Sequence, residues 1–394
     1  MKNEIKSKVI KSRLLKLYKK QNPSYLTNYK KQIKNRTDLI QKQLNFPLRF
    51  FKDLEVGDFA CGSGDFGIIA AKNGAKVRGY DFNSVSIDSA KQKCKKLKIK
   101  NASFFVKEFF EIKSKFDFLI CTNALHHLPN PYTGLKHLKS QVKKDGFLLL
   151  SFGLDSSNLQ HSLIKSIVRN WGTKDADIIK ASKYLFSDHI NRCVKYGMRT
   201  ADSVIHDQFI NSQHYFLNIQ KVYKILGKHY DLHSTWPPIF IPRGDSAHNN
   251  TILETSNHLF ASELLWSTKT LDDLSRAKKF SSDNNHQSFQ NLIKRFNHKA
   301  NFSMNDLLNN NYKNKLINNN KKFYDIDFSF GINEHNKKFY TELNKLFSFF
   351  KKKLKSPTLK ETKNFLSKNN YIFKNTNGLG INYFIFKKKL TKFK

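Results

Sequence analysis

Cysteine is scarce in this chain, and the four present are scattered. Cys61, Cys94, Cys121 and Cys193 form no C-x-x-C pair and match no zinc spacing, which excludes a disulfide scaffold and a cysteine-based metal module. No stretch approaches the roughly 20 consecutive apolar residues of a membrane helix, so no transmembrane segment is expected. The start, MKNEIKSKVIKSRLLKLYKK, is basic and lacks the apolar run of a signal peptide. These absences together lead to an expected cytoplasmic, reducing location. Acidic residues are also few. Asp and Glu number 31 against 70 Lys and Arg, for a formal charge of +39. Such an excess fits nucleic acid or another anionic surface as a partner. It fits a background bias equally, because Lys and Asn are spread along the whole chain. The phosphate-binding pattern G-x-x-x-x-G-K-[ST] is absent, which removes the main support for nucleoside triphosphate hydrolysis.

Aromatic residues are plentiful, with 35 Phe and 15 Tyr in 394 residues. That length allows one large core plus a second region. Residues 1–50 read as a helical N-terminal segment, with weak periodicity in LLKLYKKQ and DLIQKQL. Residues 51–156 alternate strand and helix. VGDFA, KVRGYDF, ASFFVKE, FDFLICT and FLLLSFG are the strands. DFGIIAAKNG is a helix stopped by Gly74. SVSIDSAKQKCKKLKI is a second helix, with Ser84 or Ser86 as its cap, and NPYTGLKHLKSQVKKDG a third, ending at Asp145 and Gly146. Short apolar strands separated by such helices imply an α/β fold whose parallel sheet is covered on both faces.

Residues 157–248 are more helical, and Pro237, Pro238 and Pro242 force extended or turn structure near their end. Residues 249–394 are rich in Lys and Asn, with low-complexity tracts such as LLNNNYKNKLINNNKKF. Pattern returns late. PTLKETKNFLSKNN is a helix that Thr358 caps, with Glu361 completing a capping box. YIFKNTN and INYFIFKKKL read as a closing strand hairpin. A long insertion between the early sheet and its last hairpin, or a separate small domain, both fit this order.

The stretch DFACGSGDFG is the most informative in the chain. A strand that runs into a glycine turn and then a helix presents backbone N–H groups with no side chains in the way. Asp81 follows about 20 residues later, at the end of the second strand, where a carboxylate accepts both hydroxyls of a ribose. Gly62, Gly64 and Gly67 also satisfy a dinucleotide pattern, so glycine spacing alone decides nothing. Asp58, inside the first strand, discriminates better. A carboxylate near the ligand disfavours a pyrophosphate and favours a cationic group.

With those residues in place, VGDFACGSGDFGIIAAKNGAKVRGYDFNSVSIDSA resembles the opening of a class I S-adenosylmethionine-dependent methyltransferase. Asp58, Ala60, Cys61, Gly62, Ser63 and Gly64 take the places of that family's acid, spacer and GCGSG turn. Ala60 stands where glycine is commoner. The resemblance implies a Rossmann-like sheet and S-adenosylmethionine as cofactor. It implies Asp81 at the ribose and Phe82 near the adenine. Glu108 and Phe109 fall at the adenine edge, where the family more often has Asp and a small residue. FDFLICTNALHHLPNP matches the fourth-strand motif, with Thr122 at the junction facing the donor. The likeness covers about residues 50–153 and is specific to the donor, not to any acceptor.

Methyl transfer requires a nucleophile in line with the donor methyl, and a base is optional for some acceptors. His126 is a candidate base, and a structural histidine there fits as well. His206 and Asp207, in a segment dense with Arg199, Asp202, His214, Tyr215, Trp236, Arg243 and Asp245, can approach a substrate hydroxyl or form a polar network that holds a lid. Their spacing matches no helical metal-ligand pair, so no metal is expected. The N-P-P-Y motif of amino-group methylases is absent. The expected function is methyl transfer to oxygen or nitrogen of a small-molecule acceptor. The alternatives are an RNA or protein methyltransferase using the basic surface, and a non-catalytic cofactor-binding protein. Nothing in the sequence sets the oligomeric state.

Overall fold

A computed structural model of the chain describes residues 29–155, 159–197, 200–211, 215–227, 229–236, 334–351, 357–373 and 381–389, with Ser12, Leu15, Ser303, Met304 and Asp306. The tract LLKLYKKQ, the three prolines at 237, 238 and 242, and the Asn-rich tract at 307–322 lie outside the described residues apart from Leu15.

Seven strands form one sheet: β1 Glu55–Phe59, β2 Lys76–Asp81, β3 Ala102–Val106, β4 Phe116–Thr122, β5 Val142–Gly153, β6 Tyr230–Trp236 and β7 Ile381–Lys388, in the order β3-β2-β1-β4-β5-β7-β6. β1 to β5 are parallel. β7 runs antiparallel between β5 and β6. The strand order reverses between β1 and β4, the kind of switch point at which α/β sheets bind ligands outside the carboxyl ends of their strands.

The helices are α1 Tyr29–Asp38, α2 Asp65–Lys72, α3 Ser84–Lys96, α4 Pro131–Ser140, α5 Leu159–Val168, α6 Asp175–Leu185, α7 Ser187–Gly197, α8 Ala201–Ile205, α9 Ile219–Leu226, α10 Glu334–Lys351 and α11 Leu359–Lys368. Strand alternation sends Val56, Phe118, Ile120, Leu149 and Ile385 to one face, where they pack on Ile33, Ile68, Ile69 and Ile87 of α1, α2 and α3. Leu119, Cys121, Leu148, Leu150, Phe384 and Phe386 point the other way, against Leu135 and Leu138 of α4 and Val222 and Leu226 of α9. A third core lies apart from the sheet. There Leu163, Ile167, Ile178, Leu185 and Val204 meet Leu343, Leu346 and Phe350 of α10 and Leu366 of α11. Segments far apart in sequence therefore share one helical cluster.

Local chemistry explains the element ends. Gly74, at φ +93°, terminates the turn after α2 in a left-handed conformation. Thr358 and Glu361 form the expected capping box on α11, with Thr358 N–H donating to Glu361 Oε2 at 2.7 Å and Glu361 N–H to Thr358 Oγ1 at 3.2 Å.

Four local expectations change. The cap of α3 is Asn83, whose Oδ1 accepts from Val85 N–H at 3.1 Å, one residue before Ser84. The helix begun at Asn130 stops at Ser140, and β5 already starts at Val142, where Lys143 bridges Glu55 and Asp117 at 2.8 and 3.1 Å. Tyr371–Phe373 is a 3₁₀ turn whose Ile372 and Phe373 join the helical core, so it is no strand. The partner of β7 is instead β6, within a region read as helical. Its edge position and half-polar sequence YDLHSTW hide it from an apolar-run criterion.

Candidate functional site

The site grows from the end of β1. Ala60, Gly62 and Gly64 have φ of +52°, +52° and +76°. For Ala60 that left-handed conformation costs about 1–2 kcal/mol, which glycine would not incur. The surrounding bonds hold it. Cys61 N–H donates to Tyr80 O at 3.0 Å, and Gly64 N–H to Cys61 O at 2.9 Å. Gly62 N–H donates to Asp81 Oδ2 at 2.8 Å, while Asp81 Oδ1 accepts from Asn83 N–H at 2.9 Å. Asp81 thus joins the β1 turn to the β2 end with both oxygens. Its burial raises its pKa, and the N–H donors oppose that shift.

The two glycines differ in what surrounds them. A Cβ on Gly62 would meet no atom within 4 Å, so the backbone there faces open space. A Cβ on Gly64 would lie 2.7 Å from the Phe104 ring and 2.9 Å from Ala90 Cβ. Gly64 is required for packing, whereas Gly62 keeps a surface bare.

Asp58 is buried under this turn, and its Oδ2 accepts from Gly67 N–H in the first turn of α2 at 2.9 Å. Desolvation pushes its pKa up to about 7, against the lowering effects of the Gly67 bond and the Arg36 charge. Cys61, in the turn itself, is held as a thiol because burial and the charges of Asp58 and Asp81 raise its pKa. Behind the turn, Lys93 Nζ donates to Ser63 Oγ at 2.7 Å and to Asp65 Oδ1 at 2.6 Å. Arg36 of α1 pairs with the other oxygen of Asp65.

Phe82 is half-buried beside Asp81. Lys107 N–H donates to Asp81 O at 2.9 Å, which brings Glu108 near enough for its charge to raise the Asp81 pKa. Phe109 packs edge-on against Phe59 and tilted against His137, with centroids 5.8 and 5.7 Å apart. Thr122 ends β4 opposite Ser151. Asn123 follows at φ +55°, its N–H donating to Ser151 O and Oγ at 3.0 and 2.9 Å. Ser151 Oγ donates to Asn123 Oδ1 at 3.0 Å, and Tyr383 of β7 sits opposite Ser151 in the sheet. His126 is buried, its ring 4.1 Å from that of His127, and desolvation followed by the His127 charge holds its pKa well below the ordinary histidine value.

The structure therefore brings Asp58, Ala60, Cys61, Gly62, Gly64, Asp81, Phe82 and Glu108 to one edge of the switch point, with Thr122 at the end of β4 and Phe109 and His126 on the segments that follow β3 and β4. His206 and Asp207 belong to the separate helical cluster, in a π-helical turn His206–Ile210, where Asp207 lies beside Lys165 of α5. That cluster meets the site through residues 215–217, because Tyr215 N–H donates to His126 O at 2.9 Å and Leu217 N–H to Gly153 O at 2.9 Å. Arg36, Lys93, Ser151 and Tyr383 were not singled out in the sequence, whereas Asn123 stood among the residues expected to face the junction after the fourth strand. Lys93 alone left a signal, as a lysine on the same helical stripe as Ile87, Ala90 and Cys94.

Residues 50–175 match the family model described as a methyltransferase domain. Together with the strand order and the glycine turn, this decides the class. Residues 50–175 are a class I S-adenosylmethionine-dependent methyltransferase domain. Two curated relatives of this domain are each called ubiquinone biosynthesis O-methyltransferase. That of Actinobacillus pleuropneumoniae serotype 7 (strain AP76) is 32% identical over 123 residues, 29% of this chain and 51% of the relative. That of Coxiella burnetii (strain RSA 331 / Henzerling II) is 32% identical over 104 residues, 25% of this chain and 44% of the relative. The chain spans about half the length of the curated relatives it matches. Magnesium protoporphyrin IX methyltransferase (ChlM) from Synechocystis PCC 6803, solved with bound SAM, is 20% identical, covering 47% of this chain and 63% of its own, with a TM-score of 0.30. That superposition adds nothing to the strand order.

The methyltransferase domain can be tested against its cofactor on its own geometry. S-adenosylmethionine presents a ribose, an adenine and an amino-acid tail that carries an ammonium and a sulfonium. The carboxylate at the end of β2 suits the ribose, the half-buried Phe82 beside it suits the adenine, and the bare backbone at Gly62 over the buried carboxyl of Asp58 suits the tail. Among the described residues no helix is long and apolar enough to cross a membrane.

Proposed function

We propose that this chain transfers a methyl group from S-adenosylmethionine to an oxygen of a small-molecule acceptor. The observation that carries the donor side is Asp81, which spans from Gly62 N–H to Asn83 N–H across a turn whose Gly62 faces open space. S-adenosylmethionine supplies, when bound, an electrophilic methyl group on a sulfonium. Gly62 and Gly64 would receive the amino-acid tail, and Asp81 would accept from the ribose hydroxyls. Phe82, Glu108 and Phe109 would border the adenine. Asp58 would face the positive charge from below. Oxygen as the acceptor atom is supported by the name of the curated relatives.

On the acceptor side, Thr122 ends β4, and Asn123 and His126 follow it. His126 is kept neutral by its burial, so its imidazole has the protonation state of a base but a low proton affinity. Positioning would then supply more of the rate than proton abstraction. His206 and Asp207 would act through the loop at 215–217 and hold the acceptor side in shape.

Two measurements test the reading. S-adenosylhomocysteine should bind the wild type in a calorimetric titration, and Asp81→Ala should weaken it about tenfold or more; an unchanged affinity overturns the assignment of Asp81. Incubation of the protein with cell extract and S-adenosylmethionine labelled in the methyl group should place the label in the small-molecule fraction. Label recovered in precipitated RNA or protein overturns the small acceptor.

A further inference from the structure

The turn between Gly62 and Gly64 has little stiffness of its own, because glycine on both sides of Ser63 leaves the backbone free to move. In the structure that freedom is removed from behind. Lys93 Nζ bonds Ser63 Oγ at 2.7 Å and Asp65 Oδ1 at 2.6 Å, so one ammonium straddles Gly64 and grips the chain before and after it. The Lys93 and Asp65 side chains are each 1% exposed. A buried ion pair of this kind gains little net stability over apolar packing and is destructive when one partner is lost. Its extra bond to Ser63 is the feature that a simple structural pair would not need.

Lys93 comes from a rigid base. It sits on α3, whose Ile87, Ala90 and Cys94 are buried in the core. The other oxygen of Asp65 is taken by Arg36 of α1, 30% exposed, whose guanidinium also lies 5.3 Å over the Phe66 ring. Asp65 opens α2, where a carboxylate also suits the positive end of the helix. The clamp thus joins three helices to one serine in the donor turn.

Resting on the donor reading above, we propose that Lys93, anchored by Asp65 and Arg36, is a positioning residue that sets the glycine turn through Ser63 and so controls affinity for the donor. Lys93 itself does not touch the cofactor. Its ammonium fixes the Ser63 hydroxyl oxygen as an acceptor and leaves the backbone N–H groups of the turn in one arrangement. Helix α1, which lies outside the matched residues 50–175, takes part through Arg36.

The test is a double-mutant cycle read as S-adenosylhomocysteine affinity by calorimetry, with melting temperature recorded alongside. Ser63→Ala removes one hydroxyl, leaves the Lys93–Asp65 pair intact and should weaken binding about tenfold with little change in melting temperature. Lys93→Met should weaken it at least as much. The double variant should be no weaker than Lys93→Met alone, because both changes break the same link. Should Lys93→Met fail to fold, Lys93→Met with Asp65→Asn removes both buried charges and takes its place in the cycle. Wild-type binding with unchanged affinity in Ser63→Ala, or with single effects that multiply, overturns the clamp and spares the donor reading. No binding by the wild type overturns both.

Discussion

Asp58 carries the most exacting prediction. Its carboxyl is 2% exposed, and desolvation raises its pKa from an ordinary 3.8 to about 7. The folded protein therefore holds a proton there that the unfolded chain has already released between pH 3.8 and about 7. The contribution of this group to stability is greatest below the unfolded value and is lost as pH rises through the folded one. Its full size is about 4 kcal/mol, because each pH unit between 3.8 and about 7 is worth about 1.4 kcal/mol. An ammonium above Asp58, which S-adenosylhomocysteine keeps although it lacks the sulfonium, reverses the preference, because it favours the carboxylate. Binding should then expel a proton at acid pH, and affinity should fall about tenfold for each pH unit below about 7. Between about pH 7.5 and 5.5 the loss is roughly 25-fold. That window stays below the titration of the ligand's own α-amino group, near about 7.7–8.0 in ordinary compounds. The assay is calorimetric titration with S-adenosylhomocysteine in two buffers of different ionisation enthalpy. About one proton should be released at about pH 6. Burial also pulls the Lys93 ammonium toward neutrality, but its loss of charge would weaken binding as pH rises, the opposite sign. Burial raises the pKa of Asp81 too, so the share of the acid limb that belongs to Asp58 is the share that Asp58→Asn removes. A wild-type affinity independent of pH over this range, or a limb left unchanged by Asp58→Asn, refutes the reasoning.

The two glycines of the turn should separate function from folding. Gly62→Ala places a methyl group in open space at φ +52°, so it should cost about 1–2 kcal/mol of stability yet lose about tenfold or more in S-adenosylhomocysteine affinity. Gly64→Ala meets Phe104 and Ala90, and thermal unfolding should show a loss of about 2–4 kcal/mol; equal behaviour of the pair would contradict the two environments. Ser151→Ala removes the hydroxyl that accepts from Asn123 N–H and donates to Asn123 Oδ1, so hydrogen exchange at residues 123–128 should quicken by about tenfold, and unchanged protection would show that β5 does not hold this loop.

Much of the donor side was legible because its chemistry is local. Gly62 and Gly64 adopt positive φ where glycine is the cheapest residue, and Asp58 and Asp81 sit at strand positions that alternation and spacing predict. The capping box at Thr358 and Glu361 was legible for the same reason, since its partners lie three positions apart. The cap of α3 was not, because Asn83 competes with two serines close by and only the geometry at Val85 N–H chooses between them. β6 was hidden by its polar edge position, and the turn at 371–373 carries aromatic residues that suit a strand equally well.

The sequence by itself determined the parallel β1–β5 frame and a bare, acid-flanked turn, because those depend on residues within one element or one connection. Only the tertiary structure decided what stiffens and closes the turn. Lys93 reaches Ser63 across 30 positions, and Ser151 reaches Asn123 across 28, once β5 lies beside β4 in the sheet. Such contacts follow from which strands are neighbours and how α1 and α3 dock on their face. Neither is written in any short stretch of residues: the helical stripe that turns Lys93 toward the core does not name Ser63, and Ser151 alone reads as an ordinary strand serine.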